Sequence, residues 1–594
     1  MSDSVRTTVR EILRQAVLGA HAGGQLGEVP DQMPLERTKR PEHGDYATNM
    51  ALGLAKAAGK PPRDLAEAIA KQLRLLGGSD LAEVAVAGPG FVNIRLSDAF
   101  WQRRLLAIRA AGKAWGRGRA KPERLCVEYL SANPTGPLHF AHGRHAAVGD
   151  SLTRLLRFAG HDVVREFYLN DAGNQVAALA LSVWTRYMEA ARAADATVPA
   201  VVFPENGYRG DYVRGIGREL LARDGPRWVG TEPPADIEPV RRFAIERCLA
   251  MIRATLERFG VDFDVWQSER DLHENGEVKA TLEVLDKAGF IDRRDNAVWL
   301  RTTALWGDEK DRVVVKSDGL PTYLLADIAY HRKKLSRGFD SLCDIWGADH
   351  HGHIPRMQAA LKALGAAPDR LSVILIQMVS LLRDGKPVPM GKREGEFVTL
   401  DAVVDEVGRD ATRFFYLMRR HDTPLEFDLE LAKRQSMDNP VYYAQYAHAR
   451  CASLLRRAAT LQAPSMPLDE ELARGLSLPE EIAILRRLSD FPDLLSDAAA
   501  AREPHRLVQY IQELAAEFQS YYTRLQKVHG DSILPQKRQR VGDWHATWDW
   551  KRTAARLAWV EAIRQVLEIA LSLVGVSAPS EMKRAEAGEE VEGL

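Results

Sequence analysis

The strongest constraint on this chain is the run Glu128-Tyr-Leu-Ser131-Ala-Asn133-Pro-Thr-Gly-Pro-Leu-His139-Phe-Ala-His142-Gly143. It continues from a short apolar stretch, residues 125–130, that reads as a strand, and leads into a helical pattern extending to about residue 159. Prolines at 134 and 137 keep either element from continuing through residues 131–137, so the run is a loop between strand and helix. Residues 163–168 read as a second strand. Strand, helix and strand in such close succession form a parallel crossover unit, and the same order recurs around residues 312–382. The pattern predicts an α/β fold: a doubly wound parallel sheet wrapped by helices.

One such sheet does not account for 594 residues, a length that suggests about three or four units. Residues 1–115 read as a small α/β domain, with helical periodicity over 47–58 and 64–75 and strands at 84–86 and 91–96. A Gly-, Lys- and Arg-rich stretch, 112–124, reads as a linker into the sheet-bearing domain, 116–438. Within that domain residues 172–310 hold helices and a Pro/Gly-rich patch at 199–239, the texture of an insertion. The apolar run 371–382 reads as buried strand, and 401–421 as two short helices. Residues 439–594 are helical almost throughout, with segments at 442–459, 480–501, 506–525 and 550–574 that predict an all-α bundle.

Lys+Arg and Asp+Glu tie at 81 each, so no global field draws the chain to nucleic acid or membrane, although individual faces can still be basic. Cys126, Cys248, Cys343 and Cys451 are scattered, which argues against a disulfide framework or a Cys-based zinc site and fits a reducing, cytoplasmic setting. No run has the roughly 18 apolar residues a membrane span needs. The charged N-terminal stretch lacks the pattern of a secretion signal.

In open α/β sheets ligands bind beyond the carboxyl ends of the strands, where helix N-termini attract anions. His139 and His142, three residues apart at such a terminus, can donate to a phosphate; read alone, they are equally satisfied surface or capping residues. Downstream, Trp346-Gly347-Ala-Asp349-His350 ends an apolar strand, where a glycine admits a flat ligand and an acid can take ribose hydroxyls. Pro389-Met390-Gly391-Lys392-Arg393-Glu-Gly395 then supplies a glycine-flanked loop with cations. Phosphoryl chemistry asks mainly for alignment and charge stabilisation, so this order of residues suits adenylation with pyrophosphate leaving.

These motifs resemble the HIGH, GxDH and KMSK elements of class I aminoacyl-tRNA synthetases, whose catalytic domain is of Rossmann type. Resemblance to the arginyl-tRNA synthetase family covers nearly the whole chain. It is carried further by Pro41-Glu-His-Gly44-Asp-Tyr46, Ala87-Gly-Pro-Gly90-Phe, Tyr323-Leu-Leu-Ala-Asp327, Tyr443-Ala-Gln445-Tyr446-Ala-His-Ala-Arg450 and Ser577-Ala-Pro579. The sequence departs from the HIGH pattern at Phe140 and Ala141 and from KMSK at Pro389 and Gly391, while Lys392 matches the second KMSK lysine.

The resemblance implies activation of L-arginine by ATP, with Mg²⁺ accompanying the nucleotide, and transfer to the 3′ end of tRNA(Arg). It implies catalytic roles for His139, His142 and Lys392, and an ATP site of His139, His142, Gly143, Gly347, Asp349, His350, Met390, Lys392 and Arg393. It assigns Glu128, Tyr323 and Asp327 to the guanidinium, and Ser131, Asn133, His142 and Gln377 to the rest of the arginine. Tyr443, Gln445, Tyr446 and Arg450 fall in an anticodon-reading bundle, and the N-terminal domain is expected at the outer corner of the tRNA. A monomer is expected, with no membrane contact and no protein-bound metal.

Residue spacing alone leaves Tyr323 and Asp327, one turn apart on a helix at 322–335, open between solvated face and ligand. A planar guanidinium does want a carboxylate with bidentate reach. The His350-His351-Gly352-His353 cluster is open between metal binding and nucleotide contact, and the basic run 536–540 between solvated linker and RNA contact. Two rival functions are a non-catalytic tRNA-binding paralogue and a class I synthetase for another amino acid. A small adenylating enzyme leaves the helical C-terminal third without a purpose.

Overall fold

The computed structural model describes residues 4–26, 29–118, 122–306, 308–388 and 397–582. Its central sheet has five parallel strands: β1 (Arg124–Glu128), β2 (Asp162–Leu169), β3 (Val265–Ser268), β4 (Ser341–Gly347) and β5 (Leu371–Ile376). Their spatial order is β5-β4-β1-β2-β3. The chain runs outward from β1 to β3, then returns to the other side of β1 for β4 and β5. A crevice therefore opens between the carboxyl ends of β1 and β4, where such folds bind ligands. Glu128 pairs in register with Asp344, while β4 continues to Gly347.

Helix α1 (His142–Phe158) starts beside that crevice and buries its long face against the sheet. Its approach is close because residue 149 is glycine: a Cβ there would lie 2.2 Å from the Tyr129 ring. The far side of α1 is fastened by a buried ion pair between Asp150 and Arg413, whose guanidinium also donates to the carbonyls of Phe259 and Val574.

Four expectations need correction. Residues 312–315 are a strand, but not in the parallel sheet. The turn residues Asp295 and Asn296, at φ 55° and 56°, fold Ile291–Arg294 and Ala297–Leu300 into a hairpin, and Arg312–Val315 pairs with its edge. The run 371–382 is two strands, because the chain turns at Gln377, whose N–H is drawn to the His421 carbonyl; Val379–Arg383 joins a separate small sheet. The span 172–310 is not one insertion, since β3 within it is an edge strand of the central sheet. Helices α2 (Asn174–Ala194), α3 (Asp211–Asp224) and Glu238–Phe259 form a satellite layer with its own apolar core around Trp184, Tyr187, Ile216 and Phe243.

The N-terminal unit has a four-stranded antiparallel sheet and a first helix, Val5–Ala22, that the sequence reading left undescribed. Ser4 caps that helix, and Val5, Val9, Leu13 and Ala20 bury one stripe. Gly44 takes φ 79°, where a Cβ would meet the Ile94 carbonyl at 2.6 Å, and Asp45 accepts from Leu96 N–H. The His-Gly-Asp-Tyr signature is thus a folding feature of this unit. The stretch expected as a linker, 112–124, is anchored at its start: Trp115 is fully buried and its Nε1 donates to the Leu488 carbonyl at 3.0 Å. Arg6, Arg37 and Arg486 pair across to Asp497, Asp490 and Asp45, so the N-terminal unit packs on the C-terminal helices. Those helices include α5 (Pro440–Thr460, numbered after α4, Tyr323–Ser336), Pro479–Ala501, His505–Lys527 and Trp550–Leu573.

Candidate active site

The two motif histidines sit half-buried at the start of α1, and the local backbone fixes their tautomers. The N–H of His139 donates to Nδ1 of His142 at 3.1 Å, and the N–H of Ala141 donates to Nδ1 of His139 at 3.1 Å. A ring nitrogen that accepts has no proton, so each neutral imidazole carries its proton on Nε2. Ala141 has ordinary right-handed geometry, φ −63° and ψ −28°, so alanine adds no backbone strain there. Phe140 is fully buried, with its carbonyl accepting from the Tyr416 hydroxyl at 2.5 Å. Gly143 is required by packing: a Cβ there would lie 2.6 Å from Tyr416 and 2.7 Å from Leu400.

Met390, Lys392 and Arg393, with Pro389 and Gly391, lie outside the described residues. The segment that follows them is tied to the histidine motif. Phe140 N–H donates to Val398, Leu400 N–H donates to Leu138, and the Phe397 ring lies 5.5 Å from that of His139.

Gly347 ends β4 and leads into a short 3₁₀ turn, Ala348–His353. A Cβ at Gly347 would sit 2.5 Å from Asp349 Oδ1, so the glycine makes room for that carboxylate. The Asp349 side chain is 84% exposed and His350 Nε2 is 3.7 Å from it. His353 is turned elsewhere, its Nε2–H donating to Asp327 Oδ2 at 2.9 Å. Among the described residues no group of three or more His, Cys, Asp or Glu is placed to hold a metal ion.

The arginine-site candidates separate into two groups. Glu128 is buried, with Oε2 2.5 Å from Lys334 Nζ and Oε1 accepting from Ser131 at 2.9 Å. Lys334, itself fully buried, also meets Asp344 at 2.8 Å, and His331 bonds Asp344 at 2.7 Å. Burial pushes the Glu128 carboxyl up. Burial also opposes ionisation of Asp344, but Lys334 and His331 outweigh it and hold that group down. Asn133 donates to Gln175 at 2.7 Å, and Gln377 gives its carbonyl to the buried Arg144 at 2.9 Å.

The second group faces the carboxyl ends of β2 and β3. Tyr323, 67% exposed at the start of α4, has its hydroxyl over Gly173, and Asp327 follows one turn later. Next to them stands Glu269, which the sequence reading missed. It is 5% exposed, and burial, then the neighbouring Asp327 and Asp171 charges against the relief from Tyr168, leave its carboxyl pushed up to about 7. The Tyr168 hydroxyl is buried without a well-formed hydrogen bond. Glu269 is thus a buried acid beside other carboxylates, with His273 3.9 Å away as a weak partner, and a strongly perturbed buried acid of this kind is a candidate for binding a cation. Its neighbours Val265-Trp-Gln-Ser268 are half polar and lie in the span read as an insertion, so no local signal marks Glu269 in the sequence.

Tyr443, Gln445, Tyr446 and Arg450 lie on α5, in the helical bundle. Arg450 lies 4.7 Å from the Tyr446 and Tyr522 ring centroids, and Gln445 bridges Asp410 and Ser577 at 2.9 Å and 3.1–3.2 Å. Gln445 thus joins bundle to catalytic domain, a role its spacing did not reveal.

Three family models match the chain in order: the arginyl tRNA synthetase N terminal domain over residues 3–96, the class I (R) tRNA synthetase catalytic domain over 107–423, and the DALR anticodon binding domain over 444–582. An arginine–tRNA ligase of Citrifermentans bemidjiense is 44% identical over 97% of this chain and 100% of its own. That of Heliobacterium modesticaldum is 43% identical over 98% and 99%. The Thermus thermophilus arginyl-tRNA synthetase structure, 22% identical, superposes with a TM-score of 0.73 over 97% of this chain and 100% of its own, and so shares the fold. A catalytic-domain model that spans more than half of the chain, and full-length relatives at 43–44% identity, show that the chain belongs to the arginyl-tRNA synthetase family.

Proposed function

We infer that the chain, an arginine–tRNA ligase, activates arginine with ATP across the β1/β4 crevice and passes it to the end of its tRNA. The observation that carries the residue assignment is the cluster of Glu269, Asp327 and Tyr323 by the carboxyl ends of β2 and β3, in which Glu269 is buried beside the Asp327 charge. A guanidinium there gains two carboxylates and a phenolic oxygen, whereas an ammonium cannot fill a fork built for parallel N–H bonds. In this reading Glu128 acts through Ser131 and Lys334, and Ser131, Asn133 and Gln377 surround the amino-acid main chain. The arginine carboxylate attacks the α-phosphorus of ATP, and the bond to pyrophosphate breaks. His139 and His142 present Nε2–H to the developing charge, Asp349 and His350 take the adenosine, and Lys392 and Arg393 take the β- and γ-phosphates. Mg²⁺ enters on the triphosphate and neutralises its charge; no protein ligand is assigned to it. A terminal ribose hydroxyl of the tRNA then displaces AMP.

We further assign residues 1–115 to the outer corner of the tRNA and 439–594 to its anticodon, with Tyr443, Tyr446 and Arg450 on the RNA-facing helix. A monomer working in the cytoplasm suits this reading. The test is ATP–pyrophosphate exchange over all twenty amino acids, with and without total tRNA, for the wild type and Lys392→Ala. Exchange with arginine alone, stimulated by tRNA and depressed in the variant at unchanged arginine affinity, is expected. Equal loss of activation and arginine affinity removes Lys392 from its role, and exchange with another amino acid removes the assignment of the cluster.

A further inference from the structure

The loop that carries Ser131 and Asn133 is poorly held by its own backbone. Leu130 and Ser131 sit at φ 71° and 39°, left-handed values that non-glycine residues adopt only under constraint. Within the loop, backbone hydrogen bonding is confined to short turns, Ser131 to Tyr129 and Thr135 to Asn133. Its position depends on side chains from elsewhere. Ser131 is tied to Glu128 and to the N–H of Tyr168, both on the sheet. The other two ties come from the satellite helices. Gln175 on α2 accepts from Asn133, and Tyr212 on α3 donates its hydroxyl to the Thr135 carbonyl at 2.7 Å.

The Tyr212 contact is built on both sides. A Cβ at Gly136 would lie 2.8 Å from the phenol carbon and oxygen of Tyr212, and one at Gly210 would lie 2.6 Å from the same ring. Two glycines thus leave a slot, one in the loop and one beside the tyrosine. Tyr212 is in turn fixed by the first turn of α3, where Val213 and Ile216 enter the satellite core.

We propose that Tyr212 is a positioning residue for arginine: its hydroxyl latches the 131–137 loop so that Asn133 meets the substrate main chain. The satellite helices thereby set the geometry of the amino-acid site. The inference rests on the reading that places the arginine main chain at Ser131 and Asn133, and the test keeps the two apart. Misplacement of a reacting group by about 1 Å can cost up to about a hundredfold in rate, and one lost hydrogen bond alone about fivefold.

The experiment measures tRNA-dependent pyrophosphate exchange on the full chain for Tyr212→Phe, Gly136→Ala, their double variant and Asn133→Ala. Tyr212→Phe keeps the ring and removes only the latch. It should raise KM for arginine about tenfold, leave KM for ATP nearly as in the wild type, and leave Tm nearly unchanged. Gly136→Ala closes the slot and should give the same split, and the double variant should fall short of the product of the two effects. An arginine KM unmoved by Tyr212→Phe, while Asn133→Ala raises it, overturns the latch alone. An arginine KM unmoved by Asn133→Ala overturns the loop reading and the latch with it. Parallel changes in both KM values and in Tm reduce Tyr212 to a structural residue and also overturn the proposal.

Discussion

Replacing Lys334 by methionine should expose how much of the catalytic domain hangs on one buried cation. Lys334 is 0% exposed and shared between Glu128 at 2.5 Å and Asp344 at 2.8 Å, which are themselves 6% and 0% exposed. Methionine matches the length of the stem, so the change leaves no large cavity, only two carboxylates facing each other without their counter-ion. Breaking a buried pair from one side costs about 3–5 kcal/mol, and at about 1.5 °C per kcal/mol for a unit of about 320 residues Tm should fall by roughly 4–8 °C. The pH dependence fixes the cause. In the wild type, burial works against the Lys334 charge, but Asp344 and Glu128 raise its pKa, so its contribution is complete at neutral pH and is lost only as pH rises past its raised value. Asp344 is held low, so its contribution is lost only in acid, below the usual carboxylate range. Glu128 is raised and already opposes stability as pH climbs. Without Lys334 both carboxyls lose the cation that favours their charge. The deficit of the variant should therefore widen as pH climbs from about 5 to about 8, as calorimetry of the full chain at both pH values would show. A fall in Tm of equal size at the two pH values would refute the electrostatic argument and leave only packing.

Glu269→Gln should raise the arginine KM by at least about tenfold, since a charged hydrogen bond contributes about 1.5–3 kcal/mol. Because the free carboxyl is pushed up to about 7, chiefly by burial, wild-type arginine affinity should strengthen from pH 6 to pH 8, and the glutamine variant should flatten that profile. Arginine titrations at several pH values decide it, an unaltered slope counting against Glu269. Gly149→Ala drives a methyl into the Tyr129 ring, 2.2 Å away, and should cost about 1–3 kcal/mol of stability, read as a lowered Tm. Tyr443→Ala should weaken tRNA binding about tenfold, the loss of one stacked base, at constant arginine KM. Filter binding and exchange kinetics on the same preparation separate those two quantities.

What was legible in the sequence was whatever local geometry demands. The proline loop between Glu128 and His139 had to interrupt strand and helix, and His139 and His142 had to fall at a helix start, where the structure has them. Tyr323 and Asp327 had to share a helix face for the same reason. What escaped was decided by partners distant in sequence. The strand 312–315 has the apolar texture of a central strand, and only the left-handed pair Asp295-Asn296 diverts it to a hairpin edge. Glu128 has the composition of a guanidinium ligand, yet Lys334, 206 residues away, occupies one of its oxygens. Glu269 shows the converse, since nothing in its immediate neighbours marks it until β3 pairs with β2 and brings it beside Tyr168 and Asp327. Charge in such a site is a property of the whole sheet edge. A carboxylate there is read by what compensates it: Glu128 has Lys334 and Ser131, Asp327 has His353, and Glu269 has only the more distant His273 and a Tyr168 neighbour, which is why the arginine titrations bear first on Glu269.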